Sequence, residues 1–141
     1  MAASPKQSFR FRLDLESGVP VYRQIFDQVA GAVATGALAA GDQLPTVRQL
    51  AVDLSINPNT VIRAYRELES RGVLETQQGT GTFISRQPQQ QGLPRDNAAR
   101  KRRLGQLAAE CLARAGAEGF SLDDLIGELE GMQQDSAKRR R

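Results

Sequence analysis

Two short helix patterns lie close together in residues 41–71, and their spacing restricts the fold more than any other feature of the chain. The first begins at Thr46 with Gln49 three residues later, which is the pattern of a capping box. The second begins at Asn57-Pro58, because asparagine is a favoured N-cap and proline at the first helical position loses no hydrogen bond. The connection between them is so short that the helices must cross, which predicts a helix-turn-helix.

The apolar residues of both patterns recur at intervals of three and four, as on the buried face of a helix. They are Val47, Leu50, Ala51 and Leu54 in the first helix and Val61, Ala64, Tyr65 and Leu68 in the second, which Gly72 ends. The outer face of the second helix carries side chains that can contact base edges and phosphates, namely Asn59, Thr60, Arg63 and Arg66. A solvated surface helix would show the same pattern, so spacing alone leaves both interpretations open.

The residue types that catalysis and metal binding require are scarce. The chain has 141 residues, no histidine and one cysteine, Cys111. A single cysteine excludes an internal disulfide framework and a multi-cysteine metal site, and we interpret it as a small buried apolar residue. The sequence contains no P-loop and no pair of carboxylates that would frame a pocket. We therefore predict that the protein is not an enzyme and has no catalytic residue, metal or cofactor.

The net charge is only +3, from 19 basic and 16 acidic residues. Because this total is small, affinity for DNA would depend on where individual arginines lie and on their doubling in a dimer. No apolar run approaches the roughly 18 residues that span a membrane, and the N-terminus lacks the apolar core of a signal peptide. We expect a cytoplasmic protein.

The flanking sequence adds a helix before this pair and a hairpin after it. Residues 1–9 are predicted to form a disordered arm and residues 11–15 a short strand. The first helix runs from Pro20 to Gly36, and strands at 73–76 and 82–85 enclose a glycine-rich tip. Three helices followed by a hairpin predict a winged helix-turn-helix in residues 10–86, a mainly α fold with a small β-hairpin.

The remaining chain predicts a linker at 87–94, two helices within 95–133 and a disordered basic tail at 134–141. One helix runs from Asp96 to Ala115, and a second begins at Ser121 and ends near Met132. Both carry an apolar stripe, formed by Leu104, Leu107, Cys111, Leu122, Leu125, Ile126 and Leu129. Two short amphipathic helices cannot bury these faces alone, so we expect the same helical hairpin of a second chain to cover them in a homodimer.

Three segments of the chain resemble the DNA-binding domain of the GntR family of bacterial transcription regulators. They are PVYRQIFDQV, GDQLPTVRQLAVDLSINPNTVIRAYRELESRGVL and GTGTFI, which follow one another at the family's spacing over residues 10–86. The short two-helix C-terminus resembles the YtrA subfamily. The resemblance implies a winged-helix repressor that binds a palindromic operator of double-stranded DNA as a homodimer, and it implies control of an ABC-transporter operon.

The resemblance also implies which residues reach DNA. The start of the second helix would enter the major groove with Asn57, Asn59, Thr60 and Arg63, while Arg48 precedes them in the first helix. The wing tip, which matches Gly79, Thr80 and Gly81, would lie at the minor groove or backbone. The large metabolite-binding domains of other members have no counterpart here, and the sequence identifies no effector. The alternative is a winged-helix module that binds protein without operator specificity. Weak salt dependence of DNA binding would favour this alternative, because phosphate contacts make binding strongly dependent on salt.

Overall fold

The computed structural model describes residues 9–86 and 96–139. The predicted N-terminal arm up to residue 8 and the predicted linker at 87–94 lie outside these ranges. The chain divides into two compact units, Met1–Gln90 and Gln91–Arg141. The elements of the first unit are α1 (Val21–Thr35), β1 (Gln43–Leu44), α2 (Val47–Leu54), α3 (Pro58–Ser70), β2 (Leu74–Gln77) and β3 (Gly81–Ile84), and those of the second are α4 (Asn97–Ala117) and α5 (Leu122–Arg139).

Helix α1 begins and ends where the sequence predicts. It follows Pro20 and stops at Gly36, whose φ of +83° is a left-handed conformation that glycine adopts without strain. Its inner face buries Ile25 and Val29 completely, and the helix packs mainly against α3. This packing places the N-terminal end of α1 beside the helix that is predicted to contact DNA.

The segment before α1 is not the predicted strand at residues 11–15. Its backbone is instead bound by two glutamine side chains of α1. Gln24 accepts a hydrogen bond from the Asp14 N–H at 2.8 Å and donates one to the Asp14 carbonyl at 2.8 Å, and the Arg12 N–H donates to Gln28 at 2.9 Å. Because side chains satisfy these backbone groups, the segment needs no neighbouring strand.

The helix-turn-helix forms with the predicted caps. Thr46 accepts a hydrogen bond from the Gln49 N–H at 3.1 Å, and the Gln49 side chain accepts one from the Thr46 N–H at 3.0 Å. The turn places Ser55 at a φ of +55°, and Asn57 caps α3 by accepting from the Asn59 N–H at 2.9 Å. Both helix starts are therefore fixed by contacts within three residues, which explains why the sequence predicts them.

Loss of the first cap should destabilise the DNA-binding unit. We expect Thr46→Ala to lower the free energy of unfolding by about 1 kcal/mol, because the Gln49 N–H loses its acceptor. Urea denaturation followed by circular dichroism measures this change. Thr46→Ser keeps the hydroxyl and should remain within about 0.5 kcal/mol of the parent protein. Equal losses in both variants would contradict the capping role.

The sheet contains one strand more than predicted. Its order is β1-β3-β2 with antiparallel pairing, so β3 lies in the centre. The hairpin strands occur within one residue of the predicted positions. Strand β1 escapes prediction because it is two residues long, too short to show an alternating pattern. Its Leu44 is buried in the core.

The core of the first unit joins all three helices to the sheet. Its most buried side chains are Ile25, Val29, Leu50, Val61, Ala64, Leu68 and Ile84. Tyr65 is also buried, and its hydroxyl donates to the Pro45 carbonyl at 2.7 Å. The sequence predicts that this ring packs inward, which is confirmed, but its hydroxyl is hydrogen-bonded rather than exposed. Burial raises the pKa of the Tyr65 phenol, so the hydroxyl remains a donor across the physiological range.

This hydrogen bond ties the start of α2 to α3, and its removal should be measurable. We expect Tyr65→Phe to lower the free energy of unfolding by about 1–2 kcal/mol, because the Pro45 carbonyl loses its donor. Tyr22→Phe is the matched control, since the Tyr22 hydroxyl makes no hydrogen bond within residues 9–86 and 96–138. Equal unfolding midpoints for Tyr65→Phe and the parent protein would argue against this role.

The second unit consists of α4 and α5. Asp96 caps α4 by accepting from the Ala98 N–H at 3.2 Å. At the start of α5, the Asp124 N–H donates to the Ser121 hydroxyl at 3.1 Å and the Ser121 N–H donates to Asp124 at 2.8 Å. The hydrogen bonds to Ser121 lower the pKa of the Asp124 carboxyl. No residue of α4 is buried within the single chain.

Helix α5 continues to Arg139, so its predicted end near Met132 is wrong, as is the predicted disorder of residues 134–139. Residues 133–139 contain no proline or glycine and consist largely of good helix formers. Lys138 in the last turn also suits the negative pole of the helix dipole. The helix therefore has no local reason to stop before them.

Candidate nucleic-acid interface

One face of α3 presents polar side chains in a row. Asn59, Arg63 and Arg66 follow at intervals of four and three, and all three side chains are exposed. Thr60 lies beside them and is half-buried. The opposite face of α3 is occupied by the core, so the row faces away from the core and is accessible to a partner. Amide and guanidinium groups in this arrangement can read base edges in a major groove or bind phosphates.

Asn57 lies at the start of this row, but its side-chain oxygen is occupied by the Asn59 N–H. The Thr60 N–H donates to the Asn57 carbonyl at 3.0 Å, and Pro58 has no N–H. The Asn59 and Thr60 N–H groups at this helix start are therefore already paired within the chain. The positive pole of the helix dipole and the amide hydrogens of Asn57 remain available to an anion.

Arg48 occupies the first turn of α2 and is exposed. A cation is unfavourable there, because the helix dipole places partial positive charge at the N-terminus. No acidic residue in that turn compensates. Helix stability therefore gives no reason for a cation at this position, which leaves Arg48 as a candidate for anion binding.

The guanidinium of Arg63 lies over the ring of Tyr22 in α1, 3.7 Å from the ring centre. The sequence places Tyr22 only on the apolar stripe of the first helix, and the ring is indeed half-buried. Its contact with Arg63 joins residues far apart in the chain. In the sequence, the only indication of this contact is an aromatic residue at the exposed end of the apolar stripe. The packing of α1 on α3 is needed to identify Arg63 as its partner.

The other arginines of α3 are not neutralised by nearby acids. Within the described ranges, the one ion pair joins Arg23 and Asp27 at 3.2 Å. Arg66 and Arg71 therefore do not pair with the neighbouring glutamates in this part of the chain. The Arg71 guanidinium instead lies 5.1 Å from the ring centre of Phe26. Arg66 keeps its charge free for a partner.

The wing is the turn between β2 and β3, and its tip is exposed up to Thr80. The Thr80 N–H donates to the Gln77 carbonyl at 3.1 Å, which closes the turn. Gln43 of β1 donates to the Thr80 carbonyl at 3.2 Å and so braces the tip from the sheet. Gly81 has a φ of +130°, and a Cβ atom there would lie 2.7 Å from the Gln43 amide nitrogen. Gln43 is a supporting residue that sequence reasoning did not identify.

The second unit exposes the predicted dimer residues. Leu104, Leu107, Leu122, Ile126 and Leu129 are all exposed in the single chain, with values between 42% and 68%. Cys111 is exposed too, so its interpretation as a buried residue is wrong for the single chain. Leu125 is half-buried, because it lines an open groove of about 410 Å³ with Ala115 and Phe120 of the same chain.

Other kinds of site find little support. In residues 9–86 and 96–138, no cluster of three or more histidine, cysteine or acidic side chains could hold a metal ion. None of the described helices combines the length and apolarity that a membrane crossing requires. The candidate features that the described chain offers are the polar row of α3, the wing and the exposed apolar face of α4 and α5.

Comparisons with known proteins agree with this geometry. Residues 21–84 match the sequence profile of the bacterial regulatory proteins of the gntR family. The chain is 52% identical over 75 residues to the HTH-type transcriptional regulator Rv1152 of Mycobacterium tuberculosis, across 53% of this chain and 62% of that protein. It is 46% identical over 74 residues to the HTH-type transcriptional repressor YtrA of Bacillus subtilis, across 52% of this chain and 57% of that protein.

A solved structure extends the similarity beyond the matched domain. The GntR-family transcription factor YtrA from Sulfolobus acidocaldarius is 31% identical, with a TM-score of 0.54 over 73% of this chain and 97% of that one. These relatives are transcriptional regulators rather than enzymes, as predicted. The winged-helix fold is likewise confirmed. The matched segments nevertheless span less than two thirds of either curated relative.

Proposed function

The chain belongs to the GntR family of bacterial regulatory proteins, and we propose that it is a cytoplasmic repressor that binds a palindromic operator as a homodimer. The observation that carries the proposal is the exposed row of Asn59, Arg63 and Arg66 on α3, which no acidic side chain neutralises within the described residues. A helix with such a face, preceded by a short turn, suits the major groove of DNA.

We assign each predicted residue a contact on DNA from its exposure and its hydrogen bonds within the chain. Arg48 and Arg66 are free cations and suit phosphates or guanine edges. Asn59 is free to pair with an adenine edge, because Asn57 performs the capping of α3. The half-buried Thr60 suits a phosphate or a thymine methyl group. Gly79, Thr80 and Gly81 bring the wing backbone close to the minor groove, and we assign Asn57 a contact through its amide hydrogens.

The exposed apolar face of α4 and α5 supports the homodimer. A single chain leaves six large apolar residues at least 42% exposed on the two helices: Leu104, Leu107, Leu122, Ile126, Leu129 and Met132. Faces of this kind mark interaction surfaces in soluble proteins. We infer that a second copy covers them, because an isologous pair places two α3 helices on the two halves of a palindrome.

The charges of the second unit favour the same partner. The start of α4 is basic, with Arg100, Lys101, Arg102 and Arg103, whereas α5 carries Asp123, Asp124, Glu128 and Glu130. None of these forms an ion pair within the described part of the chain. A second copy of the chain supplies the opposite charge to each set, which fits self-association better than binding to a uniformly charged protein.

Control of an ABC-transporter operon rests only on the resemblance to the YtrA subfamily, since no residue of this chain bears on the identity of its genes. The exposed groove beside Leu125 contains Asp124 and Glu128 and is open to solvent. It provides no convergent set of polar groups that would identify a ligand.

In vitro selection from a library of random duplexes tests the proposed function and identifies the operator at the same time. The purified protein should enrich an inverted repeat, with half-sites separated by about one helical turn. The logarithm of the binding constant for the enriched duplex should fall with the logarithm of salt concentration, by roughly 0.9 for each neutralised phosphate. Failure to enrich any sequence, together with a flat salt dependence, would favour the protein-interaction module instead.

A further inference from the structure

The contact between Arg63 and Tyr22 has a geometry that suits recognition. The guanidinium carbon of Arg63 lies 3.7 Å from the ring centre of Tyr22, within the range of a cation–π interaction. Stacking uses the flat face of a guanidinium and leaves its N–H groups at the edge free. The Arg63 side chain is otherwise exposed and has no acidic partner among the described residues. Its donors are therefore available while its position is restricted.

The backbone of Tyr22 is anchored by the core of the first unit. It lies in the first turn of α1, and the same helix buries Ile25 and Phe26 in the core. Helices α1 and α3 pack closely, so the backbone that carries Tyr22 lies against α3. The Tyr22 hydroxyl makes no hydrogen bond within the described residues. The ring face is thus the part of Tyr22 that acts on Arg63.

We propose that Tyr22 is a positioning residue for DNA recognition, which holds the Arg63 guanidinium over its ring so that the N–H edge is presented to the operator. The proposal rests on the proposed function and adds to it a residue outside the helix-turn-helix. A free arginine loses considerable side-chain entropy when it binds a base or phosphate. An arginine already held on an aromatic ring has less to lose, so the contact raises affinity and restricts which edge the arginine can read.

A set of five variants, which includes Arg63→Ala itself, isolates this role. Tyr22→Phe keeps the ring, Tyr22→Leu keeps an apolar side chain but removes the π face, and each change is also made in an Arg63→Ala background. The probe is a fluorescein-labelled duplex recovered by selection on the parent protein, with a scrambled duplex for comparison. Fluorescence anisotropy gives both affinities, and thermal unfolding verifies that the variants are equally folded.

We expect Tyr22→Leu to weaken binding to the selected duplex by roughly 3- to 30-fold and to reduce the ratio of selected to scrambled affinity. Tyr22→Phe should bind as the parent protein does. In the Arg63→Ala background, Tyr22→Leu should cause no further loss, because its partner is gone. A purely structural role would lower both affinities equally and would persist without Arg63.

Three results would overturn the proposal. Unchanged binding by Tyr22→Leu would exclude a positioning role, and equal losses in Tyr22→Phe and Tyr22→Leu would show that the hydroxyl contacts DNA directly. Additive losses from Tyr22→Leu and Arg63→Ala would exclude coupling between the two residues. If the parent protein selects no duplex, the proposed function fails and the role of Tyr22 fails with it. That outcome is distinct from the other three, because it precedes any variant.

Discussion

Leu129→Asp is expected to make the protein monomeric and to weaken its binding to a two-half-site operator by about 100-fold or more. Leu129 is 53% exposed on α5, within the apolar face that we assign to the dimer. Aspartate there would place a carboxylate without a partner in an apolar interface, which is costly. Because the two DNA-binding units would no longer be linked, each half-site would be bound independently.

Sedimentation velocity measures the oligomeric state, and anisotropy titration of duplexes with one or two half-sites measures the loss of linkage. Affinity for the single half-site should hardly change. The matched control is Leu15→Asp, which makes the same substitution at an 80% exposed leucine of the first unit. An unaltered dimer in Leu129→Asp would contradict our assignment of the interface.

Leu129 is a cleaner choice than Leu125, although the sequence marks both as interface residues. Leu125 is half-buried beside Ala115 and Phe120 of its own chain. A charge at that position would disturb the contact between α4 and α5 as well as any dimer. Leu129 is more exposed, so its replacement leaves the single chain largely unaffected.

Arg63→Ala is expected to cost about 1–3 kcal/mol of operator binding per contact while the fold remains intact. Arg63 is exposed, and its removal leaves the core of the first unit unchanged. The loss has two parts, because the variant removes both the DNA contact and the guanidinium that Tyr22 holds. Anisotropy titration gives the loss, and circular dichroism verifies the fold.

Two companion variants identify what Arg63 contacts. Arg114→Ala removes the same charge from α4, outside the DNA-binding unit, and should leave affinity close to that of the parent protein. Arg63→Lys keeps the charge but loses the planar fork. Retained affinity in Arg63→Lys would indicate a phosphate contact, whereas a loss like that of alanine would indicate bidentate pairing with a guanine. Unchanged operator affinity in Arg63→Ala would remove this residue from the interface.

The two sets of variants probe different requirements of the same complex. In the proposed complex, we assign the choice of DNA sequence to the α3 row and the linkage of the two halves to the α4–α5 face. One copy of the chain carries little net charge, so neither feature alone is expected to give tight binding. Full affinity requires both.

The sequence alone was sufficient for features that depend on neighbouring residues. The Thr46 capping box, the Asn57 cap with Pro58, and the glycine at the end of α1 each involve groups within one helical turn. The order of helices and hairpin followed from these caps and helix-ending residues. The resemblance to a known family followed from the motifs between them. Such contacts can be read from sequence because the chain itself brings the partners together.

Features that join distant segments could be determined only by the tertiary structure. Strand β1 exists because β3 lies beside it, and the lead-in before α1 is irregular because Gln24 and Gln28 bind its backbone. The Tyr65 hydroxyl and the Arg63 guanidinium likewise find their partners, Pro45 and Tyr22, across the fold. No periodic pattern encodes such pairs, since their geometry depends on how α1, α2 and α3 pack. The sequence therefore supplied the recognition side chains, and the packing of the helices determined how one of them is held.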